Sequence, residues 1–528
     1  MLKYFLTFLL LFFSAENIFA QGEGNIWHFG NNAGIDFNSG SAVAISGYVH
    51  TWEGCASICD STGSLLFSTD GVTVYDVDGG IIVAGLSGSI TTTQSALIIP
   101  DPASINRYYL FSCGYGGLNP ITFSIIDMSL NNGLGGMIII DSLLANNMCE
   151  KICAVYAGNG KDIWIIGHDY GTNNFRSYRV TPTGIEVAVV SATGTPMYTD
   201  PRFAGYLKAS HDGTKLATVC PGWEFVSEPG LLEIYDFNNH TGAVTNPFSM
   251  PAALTGFYGA SFSPDDSKLY VSSITDNQHI IQYDLTAVSW WNSRYVVSKG
   301  GAVDFGALQL APDGKIYCAQ GGATALSTIN NPNAAGEACD FHLNNFPILG
   351  SSGDGLPNHF EQLTIPKPCS INLGPDTSFC GNDSITLDAG ICGVKYLWND
   401  GSTNQKITIS AGVFSVTVTD NYGRKVVDTV NISHSNCIDI KVPTGFTPNQ
   451  DGVNDYFHIL NAQDFLSAEI KIYNRWGELI YLSKDKNGYW NGTYLNENCE
   501  VGVYVFVISG KNYLGHDIFE KGNLTLLR

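Results

Sequence analysis

"PDGKIYCAQ", residues 312–320, decides the fold. A Pro-Asp-Gly turn hands directly to an apolar run, the grammar of a tight turn entering a strand. The same design recurs as "STGSLLFST" from Ser61, "SINRYYLFS" from Ser104, "GNGKDIWIIG" from Gly158, "HDGTKLATV" from His211 and "PDDSKLYVSS" from Pro264. These turns fall roughly 44 to 54 residues apart, the period of four-stranded propeller blades. A strand of small residues precedes each turn, as in "GASFS" from Gly259 and "GALQLA" from Gly306, and suits the crowded position beside a propeller axis. A third strand with alternating polarity follows, as in "HIIQYDL" from His279. Six such turns are visible. Strand material at both ends, "NIWHFG" from Asn25 and "GIDFNS" from Gly34 against "LPNHFEQL" from Leu356, completes a seventh blade closed by pairing of the two ends, with six or eight blades as the alternatives.

Outward from this repeat, the chain reads as an all-β, multidomain protein with a leader at 1–20, a propeller over 21–365, an immunoglobulin-like sandwich over 366–436 and a final β-sandwich over 437–528. Two prolines in "TIPKPCS", 364–370, interrupt strand patterning and mark a linker. Beyond it about seven short strands fit into fewer than 70 residues, with Trp398 expected on a central one. "VTVTD", 416–420, alternates as a half-exposed strand should. In the last segment "AEIKIYNRWGELIYLS" from Ala468 predicts a hairpin around Arg475, Trp476 and Gly477, and "VGVYVFVISG" from Val501 a buried strand. The closing "KGNLTLLR" is an apolar strand where chain ends ordinarily fray, so that end is expected to be ordered.

Residues 1–20 have the layout of a secretory signal peptide, with Lys3, an apolar core too short to span a bilayer and a small residue, Ala20, at the cut. No later window holds about 18 apolar residues in a row, so no transmembrane segment is expected once the leader is removed. With 48 acidic against 26 basic residues the net charge is -22, which argues against a nucleic-acid partner. The 58 glycines and the many Tyr and Phe suit strands joined by tight turns. Thirteen cysteines in an exported chain invite disulfides, and the odd count leaves at least one thiol outside them. Cys149 and Cys153 in "CEKIC", like Cys55 and Cys59 in "CASIC", sit four apart without a His at zinc spacing, so bridges or buried thiols are expected there.

Five blocks, "VPTGFTPNQDGVNDYFHI" from Val442, "IYNRWGELIY" from Ile472, "GYWNGTY" from Gly488, "VGVYVFVI" from Val501 and "GNLTLLR" from Gly522, follow one another over about 90 residues. In this order they resemble the gliding-motility-associated C-terminal domain of Bacteroidota, the type B sorting signal of the type IX secretion system. The motif positions are Asp451, Gly452, Asn454, Asp455, Arg475, Trp476, Gly477, Trp490, Gly492, Gly502, Tyr504, Gly522 and Asn523; Gln450 departs from the family, which more often has Gly there. The resemblance implies passage into the periplasm on the signal peptide and then recognition of the folded domain by the outer-membrane translocon. The protein is thereby placed in the medium or on the outer cell surface. Such a domain would need Trp476 and Trp490 for packing and its terminal strand, 523–527, fixed in a sheet. Oxygen-bearing Asn449, Asp451, Asn454 and Asp455 around Gly452 resemble half of a calcium loop, although the twelve-residue pattern with its terminal Glu is absent. The alternative is a hydrogen-bonded Asx turn, and Ca2+ is the one cofactor the sequence raises. "LGPDTSFC", "YLWNDGSTNQ" and "FSVTVTDNYG" resemble PKD-type or related immunoglobulin-like modules, which serve as spacers or adhesive units. The N-terminal part looks like the propeller region common in large secreted proteins of the same group.

Propellers bind ligands at the mouth of the central channel, on loops entering the inner strands. Glu53, Gln94, Lys151, Arg202, Tyr258 and Asp304 each stand just before or at a proposed inner strand and are the candidate ligand-binding residues. A lactonase-like site would use carboxylates such as Glu53 and Asp304 to hold a metal that activates water. His168-Asp169 and His211-Asp212 look like acid/base pairs, but His211-Asp212 lies in the repeat turn where other units carry Asn159, Asp266 and Asp313, which favours turn chemistry. No G-x-S-x-G, H-E-x-x-H or Gly-rich phosphate loop is present. The sequence therefore favours an exported binding or adhesion protein with a glycan or protein ligand. An extracellular propeller enzyme, either a metal-dependent lactonase or a polymer-degrading hydrolase, is the alternative, and a structural scaffold is third.

Overall fold

The computed structural model describes residues 22–197, 202–222, 230–250, 256–273, 279–298, 304–364, 371–380, 384–390, 393–420, 425–435, 439–513 and 515–528. The expected signal peptide and most of the expected linker, 365–370, lie outside the described residues. By contacts the chain divides into two units, 1–371 with 390–397 and 417–427, and 372–389 with 398–416 and 428–528. The protein is all-β, and the one α-helix among the described residues is the single turn Glu361–Thr364.

Seven antiparallel sheets make up the propeller. Sheet 1 has three strands, Ile26–Phe29, Asn31–Asp36 and Val43–His50. Sheets 2 to 7 begin with the inner strands Ala56–Cys59, Ala96–Asp101, Met148–Tyr156, Leu207–Ala209, Phe257–Phe262 and Leu308–Leu310, and each steps outward in chain order. Residues 351–360 supply what sheet 1 lacks. Ser351 bridges Asn31 antiparallel, Pro357 bridges Cys55 in parallel, and the His359 ring lies 5.6 Å from that of Trp27. The two ends of the propeller thus share one blade, and the count is seven.

Burial follows position in the blade. Every residue of the inner strand Met148–Tyr156 is buried, whereas the outermost strand Phe341–Pro347 is mostly exposed. Small residues sit where blades crowd the axis. A Cβ on Gly306 would stand 2.2 Å from the Asp354 carbonyl, and one on Gly355 would stand 1.8 Å from that of Glu53. Only glycine allows such an approach. Around the ring, Gly54 N–H donates to Thr92, Glu150 N–H to Phe203, Tyr206 N–H to Tyr258, Ala307 N–H to Asp354, Asp354 N–H to Trp52 and Asn358 N–H to Cys55. Blade is thereby tied to blade by backbone.

Among the described residues, the module after the propeller has six strands. Thr377–Cys380, Lys425–Ser435, Gly412–Thr419 and Lys395–Trp398 form one sheet in that order, and Ile385–Asp388 pairs with Lys406–Ile409 in a second. Trp398 is on an edge strand, not the expected central one. It is nevertheless buried, and its indole N–H reaches the Asn404 carbonyl in the adjoining turn, which satisfies a donor the interior would otherwise isolate.

The last domain is a five-stranded sheet ordered Gly445–Phe446, Asp517–Leu526, Gly502–Asn512, Phe465–Tyr473, Leu479–Ser483. Asp517–Leu526 is held on both sides, antiparallel to Gly502–Asn512 and parallel to Gly445–Phe446. The expected order at this end is present. Phe446, Phe457, Ile472, Trp490, Phe506, Leu524 and Leu526 form its core. Two expectations need correction. Gly502–Asn512 is buried on one face only, with Val503 and Val505 exposed, because the apolar run is covered from one side. Trp476 is not core: at the hairpin tip, where no second layer reaches, it is 81% exposed, while Trp490 is 1% exposed.

The described cysteines 55, 59, 113, 149, 153, 220, 318 and 339 are buried thiols and Cys499 is half-buried; no disulfide joins any of them. For "CASIC" and "CEKIC" the buried-thiol alternative is therefore the one observed. Burial raises these thiols well above their ordinary range, so they carry little thiolate.

One side chain outside the backbone ladder also binds the ring. Gln94 is fully buried, its amide N–H group shared among the carbonyls of Ile152 and Leu207 and the Asn358 Oδ1. Its Oε1 accepts the N–H of Leu207 at 2.8 Å and of Ile152 at 3.3 Å. Gln94→Leu orphans several buried groups and is expected to destabilise the propeller by about 3–5 kcal/mol. Gly355→Ala, which drives a Cβ into backbone, is expected to do at least as much. Thermal unfolding of the purified chain checks both, and an unchanged transition would contradict this account of ring closure.

Candidate functional site

All inner strands run in the same sense, so their starts define one mouth of the channel and their ends the other. Glu53, Gln94, Arg202 and Asp304 precede inner strands, Tyr258 is the second residue of one, and Lys151 lies inside Met148–Tyr156. Glu53 and Tyr258, 205 residues apart, meet directly: the phenol hydroxyl donates to Glu53 Oε1 at 2.9 Å. Trp52, beside Glu53, is 56% exposed. Asp304 is exposed, and its charge bears on Asp354. Tyr258 is itself only 2% exposed, and the remaining candidates are buried as well. Gln94 is on the axis and engaged with backbone as above; Lys151 is fully buried and donates to the carbonyls of Ala204 and Val219; Arg202 is buried at the approach to its strand.

Two carboxyls escaped the sequence reading. Glu150 is buried, with Oε2 accepting the N–H and hydroxyl of Thr93 and Oε1 accepting the Gly116 N–H at 2.7 Å. Asp354 is half-buried in the closing segment. A signal for Asp354 existed, since Asp354-Gly355 stands where Glu53-Gly54 and Tyr258-Gly259 stand in their own repeats. Glu150 gave none, because nothing in "CEKIC" tells which side chain faces the channel.

The opposite end is filled. Lys208 Nζ meets Glu361 Oε1 at 2.5 Å and Gln309 Oε1 at 2.6 Å, all three groups buried, and Gln362 bonds both Tyr156 N–H and the His211 carbonyl. His211 is a turn residue, as expected: its Nδ1 lies 2.9 Å from Asp266 Oδ1 in the next repeat's turn, and Asp266 also accepts the N–H groups of His211 and Asp212. His168 is buried against Phe175 and held largely neutral, burial depressing it to about 4, while Asp169 pairs with Arg176. Neither pair forms an acid/base couple. On this same face a 650 Å³ depression is lined by Pro264, Asp313, Asn330, Asn331 and Asn333 among others.

In the C-terminal domain the motif residues serve different ends. Asp455 accepts the N–H groups of Gln450 and Gly452, Asp451 accepts that of Val453, and Asn449 accepts that of Asp451. This is Asx-turn chemistry. Among the described residues no group of three or more His, Cys, Asp or Glu is placed to hold a metal. Gln450, the departure from the family, has φ +66, the left-handed conformation that glycine adopts without strain. Trp490 donates to Thr493 O, Tyr504 to Glu500 O, Gly522 lies under the Phe506 ring, Asn523 is paired with Val505, and Gly492 has φ +76 against Leu526 and Pro448. Arg475, Trp476, Tyr494, Glu497, Glu500 and Gly502 are among the residues that line a pocket of about 350 Å³.

The first mouth is acidic yet holds protons. Burial, the nearby Glu150 charge and Asp354 push the Glu53 carboxyl up to about 8, against the bond from Tyr258. Burial likewise raises Glu150, and burial followed by Asp304 raises Asp354. Folded protein keeps the Glu53 proton up to about pH 8, whereas the unfolded chain releases it near its ordinary value of 4.5. Between these values the native state binds more protons, so stability falls as pH rises, by up to about 1.4 kcal/mol per pH unit from this group. Thermal unfolding between pH 5 and pH 8 is expected to show a steeper loss in wild type than in Glu53→Gln, and parallel profiles would contradict a protonated Glu53.

No curated protein sequence matches the chain. Solved structures similar to it include a provisionally assigned 6-phosphogluconolactonase from Bacteroides uniformis ATCC 8492, at 12% identity over 62% of this chain and 99% of that one, with a TM-score of 0.39. The extracellular domain of a provisionally assigned hybrid two component system from B. thetaiotaomicron is 13% identical over 96% of this chain and 56% of that one, TM-score 0.36. The β-propeller domain of Myceliophteria thermophila Cps50 (Swd1) is 10% identical over 57% of this chain and 94% of that one, TM-score 0.35. The propeller itself rests on the sheet order above. Among the described residues no helix is long and apolar enough to cross a membrane. Residues 440–526 match the CHU_C Type IX secretion signal domain, and this signal directs the protein to the cell surface or the medium.

Proposed function

We propose that the exported protein is a recognition module whose propeller binds an extracellular glycan at the mouth formed by Trp52, Glu53, Tyr258 and Asp354. One observation carries this reading. The buried Tyr258 hydroxyl donates to Glu53, and the 56% exposed indole of Trp52, the residue before Glu53, donates a hydrogen bond to Asp354, at the mouth opposite the buried Lys208–Glu361–Gln309 cluster. An aromatic face with polar groups at its margin suits a sugar ring, which offers apolar C–H faces and hydroxyl edges. In the same reading residues 21–365 are the binding domain, 366–436 an immunoglobulin-like spacer and 437–528 the sorting domain, with the outer-membrane translocon as its partner.

A second reading draws on the same Glu53. A carboxyl protonated near neutral pH is a general acid, which supports an extracellular hydrolase. Binding of the purified chain to a panel of polysaccharides and host glycans, with and without calcium, separates the two. Saturable binding without turnover, weakened at least tenfold by Trp52→Ala and by Tyr258→Phe, is the expected result. Hydrolysis of an oligosaccharide or lactone by wild type but not by Glu53→Gln would favour the enzyme, and a blank panel would remove the glycan assignment. Loss of binding on chelation alone would assign a role to calcium.

A further inference from the structure

The C-terminal domain keeps a large aromatic in solvent where its own fold makes no use of it. Trp476 is 81% exposed at the tip of the hairpin joining Phe465–Tyr473 to Leu479–Ser483, while the domain core is built on Trp490. Arg475 holds the indole in place. Its guanidinium carbon lies 5.5 Å from the Trp476 ring centroid and its Nη2 lies 2.6 Å from Glu500 Oε2. The guanidinium thus bridges an exposed indole and an exposed carboxylate, a platform of ring and charge at the hairpin tip.

A second feature stands beside it. The hairpin of Thr493–Tyr494 and Glu497–Asn498 turns through Leu495 and Asn496, both left-handed, with φ +51 and +66. Such turns favour Asn-Gly, and an L-residue in this region costs about 1–2 kcal/mol. Leu495 is also 81% exposed, so the strain presents an apolar side chain to solvent. Val501 and Val503, more than half exposed, line the same pocket as Trp476, Tyr494 and Glu497. Exposed Trp476, Val501 and Val503 lining one pocket with Arg475 have the composition of an interaction hot spot, and Leu495 follows Tyr494 at its margin in the chain.

Charge selects the occupant. Glu497 and Glu500 line the pocket, and Glu478 adjoins it through the Tyr494 hydroxyl at 3.3 Å, against Arg475 as the one lining cation. Three carboxylates to one guanidinium favour a cation from the partner. Its hydrocarbon stem would lie along the indole and the valines while its head meets the Glu497 carboxylate.

We propose that this pocket is the face through which the sorting domain docks on a protein of the export machinery, by receiving a lysine or arginine set among apolar side chains. The proposal rests on the export reading and locates its contact surface. Buried Trp490 and the terminal strand hold the platform in shape, and Trp476, Leu495 and Glu497 make the contact.

The test is export of the full chain from its own cells, with deletion of 437–528 as reference. Trp476→Ala is expected to lower surface and extracellular protein at least tenfold, with the chain retained inside the outer membrane, while the purified variant melts as wild type does. Glu497→Lys, at an exposed position, is expected to act in the same direction, and Glu497→Gln less strongly. Wild-type export of both Trp476→Ala and Glu497→Lys, with the deletion retained, overturns the docking face and leaves the export reading intact. Export of the deletion overturns the export reading itself. Normal export of Trp476→Ala with lost adhesion to cell-surface polysaccharide assigns the platform to a sugar and also overturns the proposal.

Discussion

The propeller depends on two amides that meet on its axis. Gln94 leads into the inner strand of sheet 3, and Asn358 lies in the segment that closes the ring, 264 residues later. Their hydrogen bond is buried, and Asn358 Nδ2 reaches the carbonyls of Ala96 and Ile152 as Gln94 reaches those of Ile152 and Leu207. Inner strands in a propeller end their ladders at the axis, so their innermost backbone groups need partners from elsewhere. The amide pair provides them from sheet 3 and from the closing segment, and closure of the ring is thereby coupled to satisfaction of its centre.

Glycine makes the same junction sterically possible. Gly54, Gly259, Gly306 and Gly355 each face backbone of the next blade at a distance that would exclude a Cβ. The residues before Gly54, Gly259 and Gly355 are Glu53, Tyr258 and Asp354, whereas Phe305, before Gly306, packs into the core. Packing at the axis and, at three of these four glycines, composition of the site share one repeat feature. Burial at the rim then supplies the chemistry: desolvation holds a proton on Glu53 that open solvent would remove.

The C-terminal domain applies the opposite economy of tryptophans. Trp490 fills its core beside Phe446 and Tyr504, and the strand Asp517–Leu526 is locked between two neighbours. With the fold secured in this way, Trp476 and Leu495 are free to stand outside it. A signal read by another protein needs both properties, a stiff frame and an uncovered contact surface.

Much of this was legible in the sequence. The repeat period, the Asp and Gly turns, the small inner strands and the order of the C-terminal blocks are local properties, written within a few residues of where they act, and they determined the all-β class and the export signal and favoured seven blades, a count the sheets settled. The starts of the inner strands were also legible, because strand order carries every such start to the same end. Only the tertiary structure decided what these side chains meet, for Glu53, ahead of Ala56–Cys59, pairs with Tyr258, while Lys151, inside Met148–Tyr156, donates to two backbone carbonyls. It alone brought Tyr258 to Glu53, set Gln94 on the axis, put Trp398 on an edge and left Trp476 in solvent. Those outcomes depend on neighbours distant in sequence, and a side chain's surroundings in a closed ring are set by the blade beside it, not by the residues on either side of it in the chain.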